Sequence, residues 1–195
     1  WRAASHQGIT PALLHIDEQQ RYLVSAYIHN DLPVETALRS SLHEHIFGLL
    51  KRCHQLQVET PHIDYAKHVE SYWRNIENTG PLDNHALNEQ REPMRILLET
   101  LIASKPEIGI CHHDLVPENF VGTAERLYLI DWEYAASGFL VMDYAAIGIE
   151  WNIDDANIIR YTGIEQGLLV SAKMLYSYIC DLWEEQKKPG ASPGY

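Results

Sequence analysis

Cysteine is scarce in this chain, with three in 195 residues. Cys53, Cys111 and Cys180 are too few and too scattered for a disulfide framework or a zinc knuckle, and a reducing cytoplasm is the expected compartment. Basic residues are also in short supply: 15 lysines and arginines stand against 27 aspartates and glutamates, for a net charge of −12. That balance disfavours a nucleic-acid partner or an anionic membrane surface, since both require positive patches. It suits a soluble protein and would tolerate a cationic ligand. No apolar run approaches the ~20 residues that span a bilayer, and the opening residues do not read as a signal peptide. Trp1 is not an initiator methionine, so the first residue of the chain need not be the first of its gene. What is present is ordinary globular composition, 46% apolar and 22% charged, enough for one well-buried core.

Hydrophobic periodicity divides the chain. Ala12–Ile16 and Arg21–Ile28, the second rich in β-branched and aromatic residues, flank the polar turn Asp17–Gln20 and predict a hairpin. After Pro33 the period changes: Leu38, Leu42, Ile46, Leu49 and Cys53 recur every three or four residues, as on an amphipathic helix. A second helix follows Pro61, with Ile63, Ala66, Val69, Trp73 and Ile76 on one face. A third is expected to begin near Pro93, a residue suited to a first helical turn, and to carry Ile96, Leu97, Leu101 and Ile102. Ile108–Cys111 predicts a short buried strand. Asn119–Val121 and Leu127–Ile130 predict a second hairpin, turning at Gly122–Glu125. Gly138–Trp151 and Glu165–Gln186 predict two more helices, and the Pro/Gly/Ser-rich residues 189–195 a mobile tail. The fold class expected is α+β, mostly helical with short hairpins inserted.

Chemistry concentrates between Cys111 and Glu133. The chain reads Cys111-His112-His113-Asp114-Leu115-Val116-Pro117-Glu118-Asn119, and then, after the hairpin, Ile130-Asp131-Trp132-Glu133-Tyr134. Asn119 lies five residues beyond Asp114, and Asp131 twelve beyond Asn119, directly after an apolar strand. Two carboxylates and an amide oxygen on adjacent loops can surround one small volume. Phosphoryl transfer from a nucleotide needs such a set. Mg²⁺ prefers hard oxygen ligands, for which a carboxylate (Asp131) and an amide (Asn119) are suitable. A second carboxylate, Asp114, can accept the proton of an acceptor hydroxyl. His112 can brace the loop by hydrogen bonding. A zinc site on Cys111–Asp114 is disfavoured, because adjacent residues of an extended segment alternate faces. His43 and His45 lack the H-E-x-x-H spacing and read as a solvated helix face.

His112-His113-Asp114-Leu115-x-Pro117-x-Asn119, followed by Ile130-Asp131-Trp132-Glu133-Tyr134-Ala135, resembles the aminoglycoside phosphotransferase/choline kinase superfamily, and within it the bacterial choline, ethanolamine and thiamine kinases. The match is strong over about Gly109–Trp151 and weaker back to Val24–Ile28. The resemblance implies a protein-kinase-like fold, here mainly its helical C-terminal lobe, and the cofactors ATP and Mg²⁺. It implies that Asp114, with His112, is catalytic and that Asn119, Asp131 and Glu133 form the metal site. Ser25, Ala26, Tyr27 and Ile28 would be the hinge whose backbone meets adenine, with Ile130 packed beneath the ring. Ungapped matching puts a glutamate that meets the cationic substrate head at Glu150, followed by Trp151. The competing view makes Glu150 a solvated helix end and Trp151 ordinary core. Tyr176, Tyr178 and Trp183 read as core rather than an aromatic cage. The implied division is 1–30, a remnant of the N-terminal lobe and hinge; 31–188, the helical lobe with catalytic and metal loops; and the 189–195 tail.

The sequence departs from the family pattern at its start. The N-terminal lobe of a kinase supplies a phosphate-covering loop and a strand lysine. Here none of Lys51, Lys67, Lys105, Lys173, Lys187 and Lys188 lies on a strand before the hinge, and no Gly-rich loop precedes residue 21. Either the protein is longer and this is its C-terminal part, or the lobe has been lost. The function expected is transfer of the ATP γ-phosphoryl group to the hydroxyl of a small cationic alcohol: choline, ethanolamine or thiamine. The alternatives are an aminoglycoside phosphotransferase and a non-catalytic, kinase-derived binding module.

Overall fold

The computed structural model describes residues 1–19, 21–32, 42–79 and 85–188. Leu38 and the expected tail at 189–195 lie outside the described residues. The elements in order are α1 (Arg2–His6), β1 (Leu13–Ile16), β2 (Leu23–Ser25), α2 (His43–His54), α3 (Tyr65–Thr79), α4 (His85–Ala103), β3 (Ile108–Cys111), β4 (Phe120–Thr123), β5 (Arg126–Leu129), β6 (Ala136–Phe139), α5 (Leu140–Glu150), α6 (Asp155–Thr162) and α7 (Gln166–Gln186). The expected α+β class holds.

Helix α7 organises the lobe. Its Leu169, Ala172, Leu175, Tyr178 and Leu182 are buried at intervals of three or four residues, which puts them on one stripe. The Glu165 carboxylate caps it, accepting from the amides of Gly167 and Leu168, both at 2.8 Å. Against this stripe pack α3, α4 and α5. Trp73 of α3 reaches across, its indole N–H donating to the Tyr178 hydroxyl at 2.7 Å. Helix α5 is buried on nearly every side from Leu140 to Gly148. A helix so apolar belongs inside, which makes its one fully buried acid, Asp143, conspicuous.

Three antiparallel strand pairs are inserted into this frame: β1–β2, β3–β6 and β4–β5. In the last, Phe120 pairs with Leu129 and Thr123 with Arg126. Its turn depends on Gly122, at φ +131°, where a Cβ would come within 2.1 Å of the Arg126 carbonyl oxygen. The β3–β6 pair sets Gly109 opposite Gly138.

Three expectations are corrected. Helix α4 does not begin at Pro93 but at His85, with Pro93 inside it. The buried stripe Leu87, Met94, Leu98 and Leu101 runs through the proline, and its packing outweighs one lost backbone hydrogen bond. The helix expected from Gly138 begins at Leu140, because residues 136–139 pair with β3 as a strand. Helix α6 was not foreseen. Asp154 caps it by accepting from Asn157 N at 2.8 Å, and Gly163 at φ +71° ends it. No helix among the described residues is long and apolar enough to cross a membrane.

Candidate active site

The loop after β3 is held from below by α5. The buried Asp143 carboxylate accepts the amide of His112 at Oδ2 and that of His113 at Oδ1, each at 3.0 Å. His54 Nε2, from the end of α2, donates to Oδ2 at 3.0 Å, and the Tyr144 hydroxyl meets His54 Nδ1 at 3.3 Å. Burial opposes the charge of Asp143. The hydrogen bond and charge of His54, the charge of His113 and the His112 amide outweigh it and push the pKa down to about 2. Asp143 is absent from the motif-based site. Its signal was a lone carboxylate in an otherwise apolar helical run, a place where a charge must be paired.

This anchored loop delivers Asp114 and Asn119 together. Asn119 Nδ2 donates to the Asp114 backbone oxygen at 2.9 Å and to its Oδ2 at 2.7 Å. The amide's own oxygen, Oδ1, remains as a donor atom for a cation. Ile130 N donates to Asn119 O at 2.9 Å, and His112 Nε2 donates to Ile130 O at 3.0 Å. These two bonds stitch the loop to the strand end just before Asp131, whose backbone is left-handed at φ +61°. His112 is 0% exposed and packs edge-on against Trp132, with ring centroids 4.9 Å apart. Burial lowers its pKa. Expected among the catalytic residues, His112 is enclosed too completely to touch a substrate; it braces the loop.

Asp131 and Glu133 are exposed. The hydroxyl of Tyr134 feels burial first, then the charge and hydrogen bond of Glu133, then the charges of Asp114 and Asp131, and its pKa rises. These acids therefore share one neighbourhood. Two carboxylates and the Asn119 oxygen are hard donors of the kind Mg²⁺ prefers, so the residues fit that ion.

A cavity of about 450 Å³ opens beside Asp114. Its wall includes Tyr72, Tyr134, Glu150, Tyr176 and Trp183. Tyr176 donates its hydroxyl to Glu150 Oε1 at 2.9 Å. The Cys180 thiol is half-buried in the same wall and pushed up to about 11 by that burial. Glu150 therefore faces the cavity. Trp151 does not: it is buried, packs edge-on against Phe120 at 4.8 Å, and donates its indole N–H to Leu115 O at 3.0 Å. The expected substrate role of Trp151 is corrected to core, since successive helix side chains point about 100° apart. The expectation that Tyr176 and Trp183 are core is corrected the other way. Of that trio Tyr178 alone is buried in the core.

The expected hinge is positioned through the hairpin. Ala26 N donates to Ala12 O at 2.8 Å. Beyond it, Asn30 Oδ1 accepts from Gly122 N at 3.2 Å, and Asp31 N donates to Gly122 O at 2.9 Å. Among the described residues, no hydrogen bond joins Ser25–Ile28 directly to Asp114, Asn119 or Asp131. Ile130, half-buried, directly follows β5 and precedes Asp131 in the chain. A wider cleft, about 840 Å³, lies between α1, the β1–β2 hairpin and Trp132, away from Asp114.

Residues 2–168 match the model of a family described as phosphotransferase enzymes. A 37-residue segment is 49% identical to protein LicA of Haemophilus influenzae, covering 19% of this chain and 14% of that protein. Among solved structures, choline kinase LicA from Streptococcus pneumoniae superposes with a TM-score of 0.80 at 21% identity, over 100% of this chain and 72% of that one. A choline/ethanolamine kinase family protein from Mesorhizobium loti gives 0.78 at 19% identity, over 100% and 71%. A structure of LicA in complex with AMP gives 0.79 at 22% identity, over 99% and 70%. At these identities the likeness is one of fold, and that fold is kinase-like.

Proposed function

This chain belongs to the phosphotransferase enzyme family, and on that premise we propose that it transfers the γ-phosphoryl group of ATP to the hydroxyl of a small cationic alcohol such as choline, ethanolamine or thiamine. One observation carries the proposal. Asp114 opens onto a cavity whose wall combines the carboxylate of Glu150 with the rings of Tyr72, Tyr134, Tyr176 and Trp183. A cation entering it loses water and needs a fixed negative group and aromatic faces in return. A hydroxyl on the same small molecule can then reach Asp114.

In this scheme Asp114 orients the acceptor hydroxyl and takes its proton as the new P–O bond forms. Asn119 keeps the carboxylate aimed through the Nδ2 bond to Asp114 Oδ2. Asn119, Asp131 and Glu133 would hold Mg²⁺, which would supply positive charge to offset the nucleotide phosphates. His112 and Asp143 fix the loop. The backbone of Ser25–Ile28 meets the adenine, with Ile130 beneath it. A cytoplasmic location belongs to the same proposal and suits three free cysteines.

The Glu150 carboxylate provides the test. Replacing Glu150 by Gln removes the charge and keeps an acceptor for Tyr176. Calorimetry should show choline binding weakened by one to two orders of magnitude, about 1.5–3 kcal/mol, the worth of a charge-assisted contact. MgATP binding should stay within about twofold. Choline affinity that ignores the substitution removes Glu150 and with it the cation site.

A further inference from the structure

The imidazole of His113 makes two hydrogen bonds of its own. Nδ1 lies 3.2 Å from the Tyr134 backbone oxygen, and Nε2 lies 2.9 Å from the Tyr65 hydroxyl. A carbonyl only accepts, so Nδ1 carries the proton. Nε2 therefore accepts, and the Tyr65 hydroxyl donates to it. The same phenol oxygen accepts the Phe139 amide at 3.2 Å. One tautomer satisfies every atom. Burial keeps the His113 pKa below the ordinary imidazole range, in agreement with a neutral ring.

The surroundings are shaped for this pair. A Cβ on Gly138 would come within 2.6 Å of the Tyr65 hydroxyl and 2.8 Å of His113 Nε2. Tyr65 is buried and stacks on Phe139, with centroids 4.9 Å apart. His113 itself adopts φ +65°, an unfavourable conformation for a side chain of its size. The loop it touches is thinly supported. Asp131, Glu133 and Tyr134 are exposed, and Trp132 secures the near end through its indole N–H to Leu129 O at 3.0 Å. The far end is held by the His113 ring at the Tyr134 oxygen and by the Ala135 amide, which donates to Trp132 O at 3.2 Å.

We propose that His113 is a positioning residue that ties the Asp131–Tyr134 loop to α3 and β6 and so sets the wall of the acceptor cavity. The inference rests on the proposed function where it concerns the acceptor. The tie itself stands on geometry. Tyr134 contributes its ring to the cavity wall, and its carbonyl is where the loop is fastened. Releasing that carbonyl frees the ring and loosens the neighbouring Glu133.

Three variants separate the tie from mere occupancy of space. His113→Gly suits the left-handed backbone and removes both ring bonds. His113→Asn also tolerates that backbone and can present an N–H near the place of Nδ1, but cannot reach Tyr65. Tyr65→Phe removes the far partner of the ring, and with it the acceptor of the Phe139 amide. Amide hydrogen exchange is read across residues 131–136, with α7 as internal control, and choline affinity is read by calorimetry on the same samples. The Gly variant should speed exchange at 131–136 about tenfold and weaken choline binding about tenfold, the scale of one lost hydrogen bond. Exchange in α7 should not move. The Asn variant should restore both readouts to within about threefold of the parent, and Tyr65→Phe should fall between. Exchange at 131–136 unaltered in the Gly variant, or no recovery with Asn, overturns the inference. If the parent chain does not bind choline, the cation reading fails while the exchange readout still decides the role of His113.

Discussion

Asp143 has no solvent, three donors and one task. Two of its donors are consecutive backbone amides of the loop that carries Asp114 and the third is His54. An Asn in its place would turn an NH₂ toward at least one of these donors and leave the mismatch buried. Asp143→Asn should therefore lower stability by about 3–5 kcal/mol, the cost of breaking a buried charged contact, as read by urea unfolding; a loss below about 1 kcal/mol would mean the loop is held otherwise. The nearness of Asp114 and Asn119, which the structure joins by hydrogen bonds, was legible in the sequence because the motif sets them at short spacing on one loop; their roles, and that of Asp131, belong to the proposal. Asp143 was not legible, because its partners are amides 30 and 31 positions away, which no spacing rule records. Trp151 was misplaced because it follows Glu150 in sequence, whereas on a helix adjacent side chains diverge.

The β4–β5 hairpin carries more than its length implies. Its turn holds Gly122, whose amide and carbonyl both engage the segment at Asn30 and Asp31. Its last strand leads into Ile130 and Asp131. Gly122→Ala would drive a methyl group into the Arg126 carbonyl at a φ that side chains rarely adopt. The expected cost is about 2–3 kcal/mol, with nucleotide affinity falling alongside stability because this turn joins the segment just after the proposed hinge to the strand that leads into the proposed metal loop. Thermal unfolding with and without MgATP measures both; an alanine variant as stable as the parent would show that the turn can shift freely. Elements with a clean period, such as α7 and the two outer hairpins, were readable from sequence. Boundaries set by a partner were not. Strand β6 exists because β3 lies beside it, and α4 runs through Pro93 because a stripe of buried side chains continues on both sides.

Charge and burial together give the protein a defined response to acid. Burial holds His68, His112 and His113 below the ordinary imidazole value, so the folded state refuses protons that the unfolded chain accepts near pH 6.5. Stability therefore rises with pH across the window between the lowered values and about 6.5, and falls on acidification through it. The slope is at most about 1.4 kcal/mol per pH unit for each histidine. Asp143, held to about 2, adds stability above the ordinary carboxylate range that is lost as pH drops toward that value. Urea midpoints between about pH 5 and 8 should decline steadily below the histidine range; a flat profile would place these rings in contact with solvent.

The network from Asp143 through His112 and Asn119 to Asp114 has one purpose in this scheme, to aim a carboxylate at an acceptor hydroxyl. Phosphoryl transfer from MgATP to choline by the intact protein, compared between the parent and Asp114→Asn, tests that purpose. Removal of a general base lowers turnover about 10²–10⁴-fold. The Asn variant should show a fall of that size in kcat, with MgATP affinity little changed, because the carboxylate acts on the acceptor. Turnover that survives the substitution would contradict the assignment of Asp114.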